Sequence, residues 1–266
     1  MRTRLLTNVL IGSAAALAVG AHWMPGTDQS GPVLTKAVAF VSPKPVSSSD
    51  AAASTVSSRV AEAMGVFGSA VRPLSNPSAL DDAFRAYFAY KTEHPADVKK
   101  PYLYFVDYGL SSTTQRGYVF DMDALKIVDG PFMVAHGRGS STSQYGVPTH
   151  FSNVSGSEAT SLGLYLTQST YGFHGKTGGQ SYSSIGLQLL GLSDGFNTNA
   201  LARRVVVHGA PYVTPTRAGR SEGCPAMEPS RAQELLPKLA NGSMVFLFAP
   251  NQAWMAGDPW VTGNNG

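Results

Sequence analysis

The sequence predicts a mainly β domain with a few short helices. Charged residues make up only 14% of the 266 residues, whereas 28 glycines and 17 prolines provide many turns. This composition favours a turn-rich β protein over a helical bundle. From Tyr102 onward, short apolar segments alternate with turn residues, which predicts a mixed, mostly antiparallel sheet or sandwich. The length is that of one ordinary domain with tails.

Residues 1–21 have the pattern of a secretory signal peptide. Arg2 and Arg4 precede the apolar stretch Leu5–Val19, and small residues follow it, as a cleavage site requires. A retained membrane anchor is the alternative, but the stretch is short for a spanning helix. No cysteine follows it, which excludes lipid attachment there. We therefore expect a bacterial protein exported to the periplasm or cell envelope, with no membrane span after cleavage.

The folded domain is expected over residues 77–250. Residues 22–76 are rich in proline, serine and alanine, which predicts a flexible linker. Within this linker, residues 59–67 could form a short helix or belong to the same tail. Residues 251–266 are expected to be a polar, frayed C-terminal tail.

The clearest amphipathic helix extends from Ser78 to Glu93. Phe84, Tyr87 and Phe88 recur in it at helical spacing, and Pro95 follows its end. An aromatic stripe of this kind predicts packing against a core.

The strands are predicted from apolar runs bounded by turn residues. They cover residues 102–108, 116–122, 124–128, 132–136, 162–167, 185–190, 205–207 and 243–248. Asp129-Gly130 is a strong hairpin signal between the third and fourth of them. A further helix is expected over residues 228–240, with Pro229 near its start and Asn241-Gly242 after its end.

A candidate catalytic pair lies in the last third of the chain. The β-branched run Val205–Val207 precedes His208, and a polar, glycine-containing loop then leads to Cys224, the only cysteine of the chain. A thiolate is the nucleophilic form of cysteine, and a nearby imidazole can take its proton. Gly223 allows a close backbone approach, and amides around it are candidates to stabilise an oxyanion. The alternative is a small cysteine buried in a core, but the polar neighbours of Cys224 favour a functional thiol.

Other polar residues are weaker candidates. His136 precedes a glycine-rich loop and is better explained as a loop or substrate-side residue than as the base. His174 and Lys176 are candidates to contact substrate carboxylates, with a solvated loop as the alternative. Asp121 and Asp123 form a weak metal signal, and the turn reading is preferred.

Nucleotide and nucleic-acid functions are excluded. Gly175-Lys176-Thr177 partly matches a phosphate loop, but Thr170 stands where glycine is required and no long helix signal follows. The net charge is +3 with an isoelectric point near 8.9, and no long basic block is present. This mild positive charge is compatible with an anionic polymer as partner.

The residues around the pair resemble the L,D-transpeptidase (YkuD-type) superfamily, in its murein L,D-transpeptidase catalytic-domain branch. The resemblance lies in Arg204–Tyr212, Gly219–Ala226, Ser161–Thr167 and Gly186–Asn197, and extends over roughly residues 102–250. It implies a YkuD-like catalytic domain in which Cys224 is the nucleophile. His208 would then be the base.

The resemblance also implies the roles of neighbouring residues. The Gly209 carbonyl would orient the imidazole, while Ser221 and Gly223 would shape the loop and the oxyanion pocket. Arg220 is a candidate to bind a substrate carboxylate, with a plain surface charge as the alternative. Tyr212 is a candidate to line the cleft. No metal and no organic cofactor are expected.

The implied reaction is acyl transfer on peptidoglycan stem peptides. A thioester acyl-enzyme would form with release of terminal D-alanine and pass to an amine, giving 3→3 crosslinks or a protein anchor. Hydrolysis of the same bond by an L,D-carboxypeptidase and a catalytically inactive wall-binding protein are the alternatives. Glu222 and Pro225 depart from the common family signature, and a carboxylate beside the thiol is expected to raise its pKa unless it points away. The sequence predicts no oligomeric state.

Overall fold

The computed structural model describes residues 48–263. The predicted signal peptide and the first half of the predicted linker lie outside these residues. Within the described part, no helix is long and apolar enough to cross a membrane.

The domain contains twelve strands and five α-helices among the described residues. The strands are β1 Tyr102–Asp107, β2 Gly117–Asp121, β3 Lys126–Phe132, β4 His136–Gly137, β5 Gly163–Thr177, β6 Gln180–Gly191, β7 Val206–Gly209, β8 Val213–Thr214, β9 Arg217–Ala218, β10 Arg220–Ser221, β11 Ala226–Met227 and β12 Met244–Phe248. The helices are α1 Ser48–Phe67, α2 Ala79–Glu93, α3 Pro229–Leu239, α4 Gln252–Gly257 and α5 Pro259–Thr262. A 3₁₀ turn covers Arg138–Ser140.

Eight strands form one mixed sheet in the order β11-β7-β6-β5-β12-β1-β2-β3. The pairs β1–β12 and β11–β7 are parallel and the other pairs of this sheet are antiparallel. Two further pairs, β4–β10 and β8–β9, lie outside it. The predicted mainly β fold with a mixed, mostly antiparallel sheet is therefore confirmed.

Helix α1 corrects the prediction of a flexible linker for residues 48–58, and it agrees with the helix alternative for residues 59–67. Its residues Val60, Ala63 and Phe67 are buried in the main core. The Phe67 ring lies 4.8 Å from that of Phe120 in β2 and 5.6 Å from that of Phe84 in α2. The alanine and serine content that indicated a linker is compatible with a helix because a few apolar residues on one face are enough to pack it.

The C-terminal segment also differs from the predicted frayed tail. Trp254 in α4 is 1% exposed and Trp260 in α5 is 8% exposed. Asp258 between them accepts hydrogen bonds from the Trp254 indole at 2.7 Å and from the Trp260 amide at 2.9 Å. Two buried indoles and their shared carboxylate therefore attach this segment to the domain.

Two of the predicted turns are strand residues in the structure. Asp129 and Gly130 lie inside β3, where the pairing with β2 is irregular and Gly130 has φ +125°, so the hairpin signal marks a bulge and not a turn. The segment 171–177, for which a solvated loop was one alternative, continues β5 and pairs with β6 as far as Thr177–Gln180. Asp123 pairs with Lys91 at 2.8 Å, and no cluster of three or more candidate metal ligands occurs in residues 48–263.

Replacing Phe67 with alanine is expected to lower the free energy of unfolding by about 3–5 kcal/mol, because the change removes a buried ring and leaves a cavity. Urea denaturation of the two proteins measures the difference. Val66, the neighbouring residue, is 45% exposed, so Val66→Ala is the control, with a change within about 0.5 kcal/mol. An equal effect of the two variants would contradict the packing of α1 in the core.

Candidate active site

Strand β7 carries His208 at its C-terminal end and lies between β6 and the edge strand β11. Its apolar residues Val206 and Val207 are buried, and His208 is only 2% exposed. The strand pairs with β6, which places Gly186 opposite His208, and with β11, which places Ala226 beside it. The short return from Cys224 to Ala226 therefore brings the thiol next to the strand that carries the imidazole.

The His208 side chain has a defined tautomer. Its Nδ1 atom lies 3.1 Å from the Gly209 carbonyl oxygen, and because a carbonyl only accepts, Nδ1 carries the proton. Burial lowers the pKa of His208 to about 4, although the Gly209 hydrogen bond acts in the opposite direction. The imidazole is neutral at pH 7, and its Nε2 atom has no hydrogen-bond partner among the described residues.

The thiol loop, residues 220–225, is closed by its own serine. The Ser221 hydroxyl donates to the Cys224 carbonyl at 2.6 Å and accepts the Gly223 amide at 3.2 Å. The Gly223 amide is thus occupied, whereas in the described chain no group accepts the Cys224 amide. Of the two amides that the sequence offered as candidate oxyanion donors, only the Cys224 amide is therefore available, and this role stays a prediction.

The thiol loop rests on β4 through two glycines. A Cβ atom on Gly137 would lie 2.7 Å from the Gly223 Cα and 2.2 Å from the Glu158 carbonyl oxygen. Gly223 itself has φ +116°, a conformation that disfavours any other residue. Only glycines at both positions allow the loop to approach β4 this closely.

Cys224 is half-buried and lines a cleft. Its Sγ atom accepts the Val206 amide at 3.5 Å, and its S–H points to the Arg204 carbonyl at 3.8 Å. Burial raises the pKa of the thiol to about 11; Val206 and Arg203 lower it and Glu222 raises it, each by less. No hydrogen bond joins the thiol to His208 within the described residues, so the resting pair is a neutral thiol and a neutral imidazole.

The two residues that depart from the common signature have defined positions. The Glu222 side chain is 78% exposed and lies 3.7 Å from Arg138, so its charge is solvated and partly paired. Its effect on the pKa of Cys224 comes last among the causes. The Pro225 carbonyl accepts the His208 amide at 3.2 Å, a contact that needs no N–H from proline.

The cleft has a volume of about 1230 Å³ and a cationic lining. The charged lining residues are Arg138, Lys176, Arg203, Arg204 and Arg220, against the single carboxylate of Glu222. Such an excess of cations favours an anionic ligand.

The residues proposed for substrate contact all line this cleft, but they differ in exposure and in how far their polar atoms are already hydrogen-bonded to the protein. Arg220 donates to the carbonyls of Ser141 at 2.8 Å and Thr142 at 3.4 Å, so part of its guanidinium is committed to the protein. Tyr212 is half-buried with its ring 6.4 Å from that of Tyr182. His174 in β5 is exposed, and its Nδ1 atom lies 3.1 Å from the Ser183 hydroxyl oxygen in β6.

His136 is buried and lies apart from the cleft lining, which corrects its interpretation as a substrate-side residue. It is 0% exposed, and its Nδ1 atom lies 3.0 Å from both Arg116 Nη2 and Ser112 Oγ. Because arginine only donates, Nδ1 accepts. Burial and then Arg116 lower the pKa of His136 to about 3. Its nitrogen that accepts is already used, so His136 does not compete for the base role.

Several lining residues were missed by the sequence analysis, and two of them, Arg203 and Phe173, contact the candidate site directly. Arg203 binds the segment behind the thiol loop, with bonds to the Ser152 and Ala159 carbonyls at 2.8 and 2.7 Å. Phe173 stacks on His208, with ring centroids 4.1 Å apart. The pair Arg203-Arg204 directly before β7 was a sequence signal for Arg203. For Phe173, the only signal was its alternation with Tyr171, which indicates one aromatic face of a strand.

Comparison with known proteins identifies the family. A sequence profile of the L,D-transpeptidase catalytic domain matches residues 72–248, a span that includes both His208 and Cys224. The chain belongs to the L,D-transpeptidase catalytic-domain family. The predicted family resemblance is confirmed. No curated protein matches this sequence.

Solved structures of L,D-transpeptidases are similar at a lower level. The enzyme from Mycobacterium smegmatis is 13% identical with a TM-score of 0.34, over 56% of this chain and 59% of that one. The enzyme from Stackebrandtia nassauensis is 17% identical with a TM-score of 0.34, over 64% of this chain and 66% of that one. The chain thus matches less than two thirds of each of these proteins. The scores are too low to support an argument from shape, so membership of the L,D-transpeptidase family rests on the profile.

Alkylation of Cys224 by iodoacetamide is expected to have a pH midpoint near 11, because the thiolate is the reactive form and burial disfavours it. In a scan from pH 6 to 11 the rate is expected to rise up to the highest pH without a plateau, and it reports this residue alone, since the chain has one cysteine. The urea-unfolded protein is the control, with a midpoint of about 8.5. A plateau below pH 8 in the folded protein would contradict the raised pKa of the thiol.

Gly137→Ala is expected to move this midpoint down toward that of the unfolded protein. The added methyl group would overlap Gly223 and the Glu158 carbonyl, which displaces the thiol loop and exposes Cys224. Gly65→Ala is the control, because a Cβ atom there meets nothing within 4 Å. An unchanged midpoint in Gly137→Ala would show that the loop does not depend on this approach.

Proposed function

We propose that the protein is an L,D-transpeptidase that uses Cys224 for acyl transfer on peptidoglycan stem peptides in the cell envelope. The observation that carries this proposal is that the only cysteine of the chain and His208, whose Nδ1 carries the proton, line one cleft. Family membership supports the reaction class, and the cationic lining supports an anionic peptide as substrate.

Proton transfer and bond formation are coupled in the proposed first step. Because the resting thiol has a raised pKa and the imidazole a lowered one, a preformed ion pair is disfavoured. The thiol turns from the Arg204 carbonyl toward His208 as the substrate carbonyl enters. His208 Nε2 takes the proton while Sγ attacks the carbonyl carbon. The Cys224 amide donates to the developing oxyanion.

Collapse of the tetrahedral intermediate releases the leaving amine. His208 returns the proton to the departing nitrogen, and a thioester on Cys224 remains. The Gly209 carbonyl stabilises the imidazolium that exists between these two transfers, since it accepts from Nδ1 throughout. An acceptor amine then attacks the thioester with His208 again as base, which forms the new amide and restores the thiol.

Cys224→Ser is expected to abolish crosslinking, and His208→Gln to lower kcat by about 10²–10⁴, the usual contribution of a general base. The test incubates the protein with disaccharide-tetrapeptide and follows products by mass. A matched histidine control is His150→Ala, which alters an exposed residue outside the cleft lining and should leave the rate unchanged.

The products distinguish the possible reactions. A 3→3 dimeric muropeptide with release of D-alanine supports transfer to an amine. Tripeptide without dimer identifies an L,D-carboxypeptidase that uses the same thioester. Full activity of Cys224→Ser, or no product from the wild-type protein, would contradict the proposal.

A further inference from the structure

Strands β5 and β6 extend beyond the sheet as a two-stranded ribbon. They pair from Tyr165–Gly191 to Thr177–Gln180, whereas β7 pairs with β6 only at Gly186–Gln188. The remainder of the ribbon therefore projects past the end of β7 that carries His208. Because side chains alternate along a strand, Tyr171 and Phe173 share the face that meets the cleft.

Phe173 covers one face of the His208 imidazole. The two ring centroids are 4.1 Å apart and the ring planes differ by 18°, which is a stacked contact. The rings of Tyr182 and Tyr171 flank Phe173 at 6.1 and 6.4 Å, so it is part of a small aromatic cluster.

A glycine opposite the histidine makes this contact possible. Gly186 is the residue of β6 in register with His208. A Cβ atom on Gly186 would lie 3.2 Å from the Phe173 Cβ and 2.9 Å from the Tyr171 ring. Without that methyl group, both aromatic side chains can lean over the end of β7.

Two contacts at right angles then constrain the imidazole. The Gly209 carbonyl binds Nδ1 in the plane of the ring, and Phe173 closes one face of it. We propose that Phe173 is a positioning residue for the catalytic base, because its stack on His208 fixes the plane of the imidazole in the cleft that Cys224 also lines and covers one face of the ring against water. The inference rests on the proposed function, in which His208 is the base.

Charged groups are not the cause of the lowered pKa of His208. The titratable and charged groups that line the cleft with it are Arg138, Tyr171, His174, Lys176, Tyr182, Arg203, Arg204, Tyr212, Arg220, Glu222 and Cys224. Burial and the Gly209 hydrogen bond are nevertheless the causes that act on the pKa of His208. Burial of the imidazole, to which Phe173 contributes directly, is thus the main cause of its lowered pKa.

Phe173→Ala is expected to raise the pKa of His208 from about 4 toward about 6.5, the ordinary value. It is also expected to lower kcat at least tenfold with little change in KM, since a misplaced base affects the chemical step. Phe173→Tyr keeps the stacked ring and should restore both properties. The pKa is measured by NMR titration of the imidazole signals, assigned with His208→Gln, and kcat and KM with the muropeptide assay.

Gln180→Ala, at the far end of the same ribbon, is the control for a general disturbance of β5 and β6 and should change neither quantity. A raised KM with unchanged kcat and pKa would assign Phe173 to the substrate wall and overturn the proposal. Loss of kcat in Phe173→Tyr as large as in Phe173→Ala would also overturn it. The NMR titration requires no turnover. If the wild-type protein is inactive but Phe173→Ala still shifts the pKa of His208, the proposed reaction is refuted, whereas the effect of the stack on His208 is retained.

Discussion

The backbone hydrogen bond from His208 to the Pro225 carbonyl, 3.2 Å long, sets the geometry on which the rest of the site depends. It begins the parallel pairing of β11 with β7, and that register determines how far Cys224 lies from the imidazole. The Ser221 bonds and the approach of Gly137 to Gly223 then fix the loop from its other side. A one-residue slip here would move the thiol away from the cleft.

The candidate catalytic pair could be selected from the sequence because its signal is local. His208 follows a β-branched run and Cys224 is the only cysteine, so residue type and position in the chain were enough to select both. The main sheet was predictable for a similar reason, since apolar runs and turn residues mark β1, β2 and β12 directly. Cys224 and His208 remain predictions in their roles, while the fold and the family are confirmed.

The errors concern features whose cause is distant in sequence. Phe67, Trp254 and Trp260 occur in segments of low hydrophobicity, and only their partners in the folded core show that these segments are ordered. Glycines at 172 and 175 concealed the alternation of side chains in the extended part of β5, so the sequence left a solvated loop open as an alternative there. Arg220 and Arg203 look alike in sequence, and only the carbonyls that each one binds distinguish their environments.

The raised pKa of the Cys224 thiol has a consequence for the lifetime of the protein. Peroxides and disulfides attack the thiolate and convert it to sulfenic acid and then to irreversible products. A pKa near 11 reduces the thiolate fraction at pH 7 by roughly 300-fold relative to an ordinary cysteine of pKa about 8.5. If the protein is exported to an oxidising compartment, which lacks thiol reductants, this raised pKa is expected to slow the chemical inactivation of Cys224. In the proposed mechanism, the same shift makes the thiol depend on a base for each turnover.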